Sequence, residues 1–456
     1  MNEQIYAYLE KNRALYLQQM TDFLAIPSIS SDSTHKGDVR RTAEWLAGDL
    51  KSGGVEHVRI METEGHPVVY GDYLKAVGKP TVLVYGHYDV QPVDPIGEWK
   101  TDPFRPVIKD NIIYARGCSD DKGQVFMLVK MAESILDVKK ELPVNIKFCF
   151  EGEEEIGSAH LNHFVDAHLD LLKADVLLVS DTTMVGPDQP AVCYGLRGLC
   201  GLEVRLKGAN GDLHSGVYGG AVQNALHAMV ALLASLHDQK GKVSVDGFYE
   251  KVRPLSEEER ATCAKLSDDR ALMKQLDVDA LYGEEGYSTV ARIWTRPTLE
   301  LNGLFGGFQG EGLKTVIPSA ATAKITCRLV PDQNPEAIGR LLKKHLEKHL
   351  PAGVKLDVAL MDHAEPFIMP LDHPALKAAD AALENAFRIK PVFSRQGGSV
   401  PIVNTFHDKL GLAPVLMGFG LDSENFHAPN EHFHLVNFDR GLRALVDFLY
   451  LLPRQM

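Results

Sequence analysis

The residues able to do chemistry in this chain sit where apolar runs stop. Gly86-His87-Tyr88-Asp89 closes the β-branched run Thr81 to Gly86. It therefore places an imidazole at the carboxyl end of a predicted strand, the edge where open α/β sheets gather ligands. His87 and Asp89 stand two apart, on one side of an extended chain, so Asp89 is placed to accept the second ring N–H of a ligating His87. Taken alone an HxD is weak, because the chain has 18 histidines and most must be surface or core residues. Farther on, Arg116-Gly117-Cys118-Ser119-Asp120-Asp121-Lys122-Gly123 leads into a helical pattern. A helix N-cap explains one of these aspartates, not both. A second carboxylate beside the first suits a bridge between two cations, whose charge makes the crowding tolerable.

The segment Glu151-Gly152-Glu153-Glu154-Glu155-Ile156-Gly157-Ser158 follows the apolar run Val144 to Phe150. An acidic run is ordinarily a solvated face. At the end of a buried strand, however, its carboxylates repel one another unless cations or protons intervene. Neighbouring carboxylates also permit two roles, one bound to metal and one moving protons. Asp181 ends a third run, Asp175 to Ser180, and His427 lies in Ser423-Glu424-Asn425-Phe426-His427-Ala428-Pro429-Asn430-Glu431 after the run Pro414 to Phe419. Each has a bland alternative; strand-end placement four times over does not. A mixed set of two histidines and carboxylates suits zinc, manganese or cobalt. Two such ions roughly 3.5 to 4 Å apart activate water and polarise a scissile carbonyl together, the chemistry of amide hydrolysis.

These residues need a frame. The runs at 81–86, 144–150 and 175–180 read as buried strands of a parallel-rich sheet, with a helix over Lys122 to Leu136 between the first two. From about Val192 the texture changes. Leu202 to Lys207 alternates as a strand, Gly219 to Leu236 carries a helical apolar stripe, Thr322 to Leu329 and Val354 to Met361 read as strands, and Pro335 to Leu350 as an amphipathic helix. The polar stretch Asp246 to Arg270 reads as an excursion without evident chemistry. Near Asp372 the first texture returns, with a helix opening at Pro374, a strand over Pro414 to Phe419 and a closing helix over Phe438 to Leu452. The expected fold is therefore α/β: a discontinuous catalytic domain, 1–191 and 369–456, interrupted by an inserted α+β domain, 192–368. That fits 456 residues, too long for one ordinary core.

Composition excludes other classes. Hydrophobic residues at 45% and charged residues at 24% are those of a globular chain. A formal charge of -13 opposes binding to nucleic acid or anionic lipid. The first residues carry Glu3, Glu10, Lys11 and Arg13 among apolar ones, unlike a signal peptide, and no apolar run reaches the roughly 18 residues of a membrane span. Six cysteines without a CxxC pair read as reduced thiols, and the cytoplasm is the expected compartment.

In combination these motifs resemble the dinuclear zinc aminoacylase and carboxypeptidase family of metallopeptidases, specifically its non-specific dipeptidase and carnosinase branch, over nearly the whole chain. The resemblance implies two divalent ions per subunit, zinc first, with manganese or cobalt as alternatives. It implies Asp120 as the bridge, His87 and Asp181 completing one metal site, and Glu155 and His427 the other. Glu154 would be the general base, Asp89 the carboxylate behind His87, and Asp120-Asp121 a cis peptide. The inserted domain would be a lid that also dimerises. Its Asp212-Leu213-His214-Ser215-Gly216-Val217-Tyr218-Gly219-Gly220 motif would carry His214 to the partner's active site to stabilise an oxyanion. Arg328 would hold the substrate's terminal carboxylate, with Thr315, Gly398 and Ser399 in lesser contacts. Cys118 departs from the commoner serine or threonine and reads as a buried, inert thiol. The activity implied is hydrolysis of dipeptides. The alternatives are an N-acyl amino acid deacylase or short-peptide carboxypeptidase and, outside enzymes, a metal-binding scaffold. The spare Glu154 beside Glu155 argues against a scaffold, which needs no base.

Overall fold

The computed structural model of the chain describes residues 2–398 and 401–456, which divide into two compact units. Of the described residues, the first takes 2–194, 369–394 and 402–456; the second takes 195–368 and also 395–398 and 401.

The first unit is built on a mixed sheet. Its centre is four parallel strands in the order Asn145–Glu151, Thr81–His87, Val176–Val179, Ala413–Leu416. Antiparallel strands Val68–Tyr73 and Glu56–Met61 extend one side, and Ala191–Leu196 borders the other. The central strands are buried along nearly their whole length, which is why they read as largely apolar runs, with Lys147 the charged exception. Helices cover the sheet. Lys122–Lys139 is buried almost all round and packs against Glu3–Leu24 and Leu435–Gln455, with Phe126 stacked on Phe438 at 6.3 Å. Pro374–Phe387 begins with proline in its first turn, is capped by the His373 ring and stops at Arg388, whose φ is 61°.

Register brings the strand ends together. His87 pairs with Glu151, Tyr85 with Val179, and Val179 with Leu416. The segments leaving these ends therefore emerge along one edge of the sheet. Glycine permits the close approach that follows: a Cβ on Gly123 would lie 2.0 Å from the Cys118 carbonyl oxygen, so only glycine lets the helix start tight against the turn carrying Asp120.

The second unit holds an antiparallel sheet ordered Thr298–Gly306, Ala320–Leu329, Gly198–Lys207, Lys355–Ala364. Helices Ala225–Ala234 and Pro335–Lys348 pack on one face of the sheet, bringing Met229 and Leu342 into one core with Leu202, Val204, Leu206 and Ile325. The stripe expected over Gly219 to Leu236 is shorter as a helix: Asn224 caps the N–H groups of Leu226 and His227, and the chain before it, through Gly219 and Gly220, turns. The excursion at 246–270 contains helix Glu257–Leu266, opened by a reciprocal Ser256 and Glu259 capping box, and the start of Asp269–Leu276. Among the described residues no helix is long and apolar enough to cross a membrane.

Candidate metal centre

The sheet edge of the first unit collects His87, Asp120, Glu155, Asp181 and His427 into two groups that share one residue. His87, Asp120 and Asp181 offer ligand atoms within 4.8 Å of one another, and so do Asp120, Glu155 and His427. Asp120 divides its oxygens between them: Oδ1 lies 3.1 Å from His87 Nε2 and Oδ2 lies 2.9 Å from His427 Nε2. Glu155 Oε2 is 3.3 Å from the same His427 nitrogen, and Asp181 Oδ2 is 3.9 Å from His87 Nε2. Two three-donor groups of imidazole and carboxylate joined by one carboxylate form a donor set suited to a pair of divalent cations.

Electrostatics argue the same way. Burial pushes Asp181 up to about 7, and the Asp120 charge adds to it. Burial opposes ionisation of Asp120 too, yet hydrogen bonds from His427 and His87 hold its carboxyl well below the usual range. His427 is raised to about 10 by its hydrogen bonds to Asp120 and Glu155. The imidazoles thus do with protons what cations would do with charge.

The acidic run divides by environment. Glu151 turns into the core, accepting from Tyr85 Oη and from Ser158 Oγ at 2.9 Å. Glu153 accepts the His66 N–H at 3.0 Å and contacts His160 Nδ1 at 2.8 Å. Glu154 and Glu155 ride a single 3₁₀ turn, Glu154–Ile156. Gln91 Nε2 fixes Glu155 at 2.8 Å. No hydrogen bond of the Glu154 carboxylate occurs among the described residues, and burial first, then Asp181 and the other neighbouring carboxylates, pushes it well above the usual range.

Asp89 is fully buried and does two things. Its oxygens accept the N–H groups of Glu154 and Glu155 at 3.2 and 3.1 Å, so it caps the turn carrying both glutamates. His87 Nδ1 sees the Asp89 carbonyl at 3.1 Å and its carboxylate at 3.4 Å. Sequence reasoning placed Asp89 behind His87; capping of the turn is an additional role. The Asp120-Asp121 peptide is cis.

Two glutamates flanking His427 escaped notice although the segment itself was singled out. Glu431, fully buried, accepts N–H groups of Gly117, Ser119 and Asp120 at 2.9, 2.9 and 3.1 Å and pairs with Arg116 Nη1 at 2.8 Å. Glu424, also fully buried, accepts Ser119 Oγ at 2.6 Å and contacts His434 Nδ1 at 2.7 Å. Together they tie the Asp120 turn to the His427 loop. That loop takes left-handed backbone at Asn425, His427 and Asn430, with φ of 59°, 58° and 63°. Cys118 is buried, and burial first pushes its thiol well up, which disfavours the thiolate.

The remaining expected site residues belong to the second unit. His214 sits on the short strand Leu213–His214, paired with Val316 beside Thr315. The Gly216 N–H donates to its Nδ1 at 3.0 Å, which leaves Nε2 as the protonated nitrogen of the neutral ring. Arg328 is half-buried on Ala320–Leu329, and Gly398 is exposed. Ser399 lies outside the described residues.

Comparison with known proteins gives a consistent result. Residues 83–451 match the model of peptidase family M20/M25/M40. The chain is 30% identical to the Cys-Gly metallodipeptidase dug1 of Schizosaccharomyces pombe, covering 98% of both. It is 29% identical to the human Beta-Ala-His dipeptidase, covering 98% of this chain and 92% of that one. Among solved structures, the metallo-carboxypeptidase Sso-CP2 of Sulfolobus solfataricus aligns with a TM-score of 0.85 at 35% identity, over 96% of this chain and 99% of that one.

Proposed function

The chain belongs to peptidase family M20/M25/M40, and from that membership we propose a metal-dependent dipeptidase whose two donor groups each hold one divalent cation, zinc first. The observation that carries this reading is the sharing of Asp120, one oxygen toward His87 and the other toward His427. When bound, two such cations supply Lewis acidity toward a scissile carbonyl and lower the pKa of water.

The chain's own residues supply the rest. Glu154 takes the proton of the attacking water and returns it to the leaving amine; its strongly raised pKa and lack of a hydrogen-bond partner among the described residues support this. Asp89 holds Glu154 and Glu155 at fixed height by capping their turn. His214, with its proton on Nε2, donates to the developing oxyanion. Arg328 receives the substrate's terminal carboxylate, for which a guanidinium fork is suited, with Thr315, Gly398 and Ser399 in lesser contacts.

We further propose a homodimer in which His214 serves the partner's site. Exposed Val217 and Tyr218 beside His214, and exposed Leu304 and Phe305 on the edge strand Thr298–Gly306, support a surface that a second copy covers. All six cysteines are buried and outside any disulfide, which supports a reducing compartment, the cytoplasm. Likeness to a carboxypeptidase favours a second reading, removal of a terminal residue from short peptides. One experiment separates them: metal-reconstituted protein is offered dipeptides, tripeptides and N-acetyl amino acids. Dipeptides should be cleaved fastest; preference for tripeptides would favour the carboxypeptidase, and preference for acetylated amino acids a deacylase.

A further inference from the structure

Arg197 has no ion-pair partner among the described residues. It immediately precedes the strand Gly198–Lys207 of the second unit and is largely withdrawn from solvent. Its Nε donates to the Gly397 carbonyl at 3.2 Å, and its backbone N–H donates to the Gln396 carbonyl at 3.2 Å. Nη1 is buried with no hydrogen-bond partner, and Arg197 forms no ion pair among the described residues. Buried guanidinium groups are ordinarily paired, because desolvating the charge is costly. Here the side chain is also held in place. A Cβ on Gly397 would lie 2.7 Å from Arg197 Nη2, so glycine is what lets the backbone close on the guanidinium. With Nε occupied by a carbonyl, Nη1 and Nη2 keep donor capacity that no described residue uses.

Strand register puts a second guanidinium nearby. Leu199 pairs with Arg328 across the antiparallel ladder. By strand alternation Arg197 lies on the Leu199 side, away from the core-facing Cys200 and Leu202, and diagonal to Arg328. The electrostatics agree: Arg197 is pulled down to about 10 by burial first and then by the Arg328 charge, with Glu300 opposing. Two guanidinium groups on one face, one with its Nη1 unpaired among the described residues, are the kind of donor set a small oxyanion needs.

We propose that Arg197 is a second binding residue for the substrate's terminal carboxylate, its Nη1 and Nη2 edge completing a two-guanidinium clamp with Arg328. The proposal rests on the reading that Arg328 receives that carboxylate. It makes Arg197 a specificity-determining residue, since a neutral terminus offers no charge to a guanidinium that has no ion pair among the described residues.

The test is steady-state kinetics of Arg197→Met and Arg328→Met on one dipeptide with a free terminal carboxylate and on its terminal amide. Expected for Arg197→Met is a KM on the free dipeptide raised about ten- to a hundredfold, the range of one charge-assisted hydrogen bond, with metal content unchanged. On the amide the rise should be under about threefold, so that preference for the free terminus collapses. If Arg328→Met loses that preference while Arg197→Met keeps it, the inference falls and the Arg328 reading stands. If neither variant loses it, the Arg328 reading falls and takes the inference with it. Equal loss on both substrates together with a lowered melting temperature would make Arg197 purely structural and overturn the proposal. Should Arg197→Met not fold, Arg197→Lys serves in its place: it keeps the charge, loses the fork, and should still raise KM on the free dipeptide selectively.

Discussion

The buried Glu431 carboxylate accepts the backbone N–H of Asp120 at 3.1 Å, and the same side chain gathers the N–H groups of Gly117 and Ser119 and the Arg116 guanidinium. The residue shared by both donor groups is thus set in place by a glutamate four positions beyond His427. Glu431→Ala leaves Arg116 buried without its partner, and loss of one member of such a pair costs about 3–5 kcal/mol. The expected outcome is a large drop in melting temperature and weaker metal retention against a chelator titration. Glu431→Gln, which keeps one acceptor oxygen, should fall between that variant and the native protein.

Chelation should abolish hydrolysis, and about two divalent ions per chain should restore it, because two donor groups share a single bridge. Elemental analysis of the reactivated protein checks the stoichiometry. A single ion at full activity would rule out the dinuclear site.

Glu154→Gln should keep its metal and fold while turnover falls by roughly a hundredfold or more, since only proton transfer is removed. Near-normal turnover would take the base role away from Glu154.

Stability of the metal-free protein should fall as pH rises from 6 to 9. In the folded chain burial raises Asp181 to about 7 and Glu151 to about 8, and hydrogen bonds to Asp120 and Glu155 raise His427 to about 10. A group raised on folding stabilises the fold below its unfolded pKa and loses that contribution as pH climbs through its folded value, so all three act in one direction. Metal requires the deprotonated ligands, so the melting-temperature gain on adding metal should grow over the same interval. A gain that shrinks with pH would contradict the assignment.

His214→Ala should lower turnover with metal content intact, as loss of one oxyanion donor does, roughly a hundredfold or more. Mixing inactive His214→Ala chains with inactive Glu154→Ala chains under subunit exchange should restore activity if sites are shared between subunits. No recovery despite demonstrated exchange would place His214 in its own chain's site.

The sequence by itself determined the candidate ligands and the class of sheet. Buried parallel strands are mostly apolar, so His87 and Asp181 stand out as the imidazole and the carboxylate that follow such runs. The doubled Asp120-Asp121 and the Glu151 to Glu155 run were legible for the same reason, as charge placed where burial makes charge costly. What composition and spacing did not reveal was which glutamates of that run do what. Glu151 and Glu153 are taken up by Tyr85, Ser158, His66 and His160, partners remote in sequence or brought close only by the turn. The capping of that turn by Asp89, the hold of Glu431 on Asp120, and the unpaired Nη1 of Arg197 are likewise tertiary facts. Hydrogen bonds such as that from Gly117 to Glu431, 314 positions apart, depend on which backbone groups burial leaves unsatisfied, and that is decided only when the elements pack.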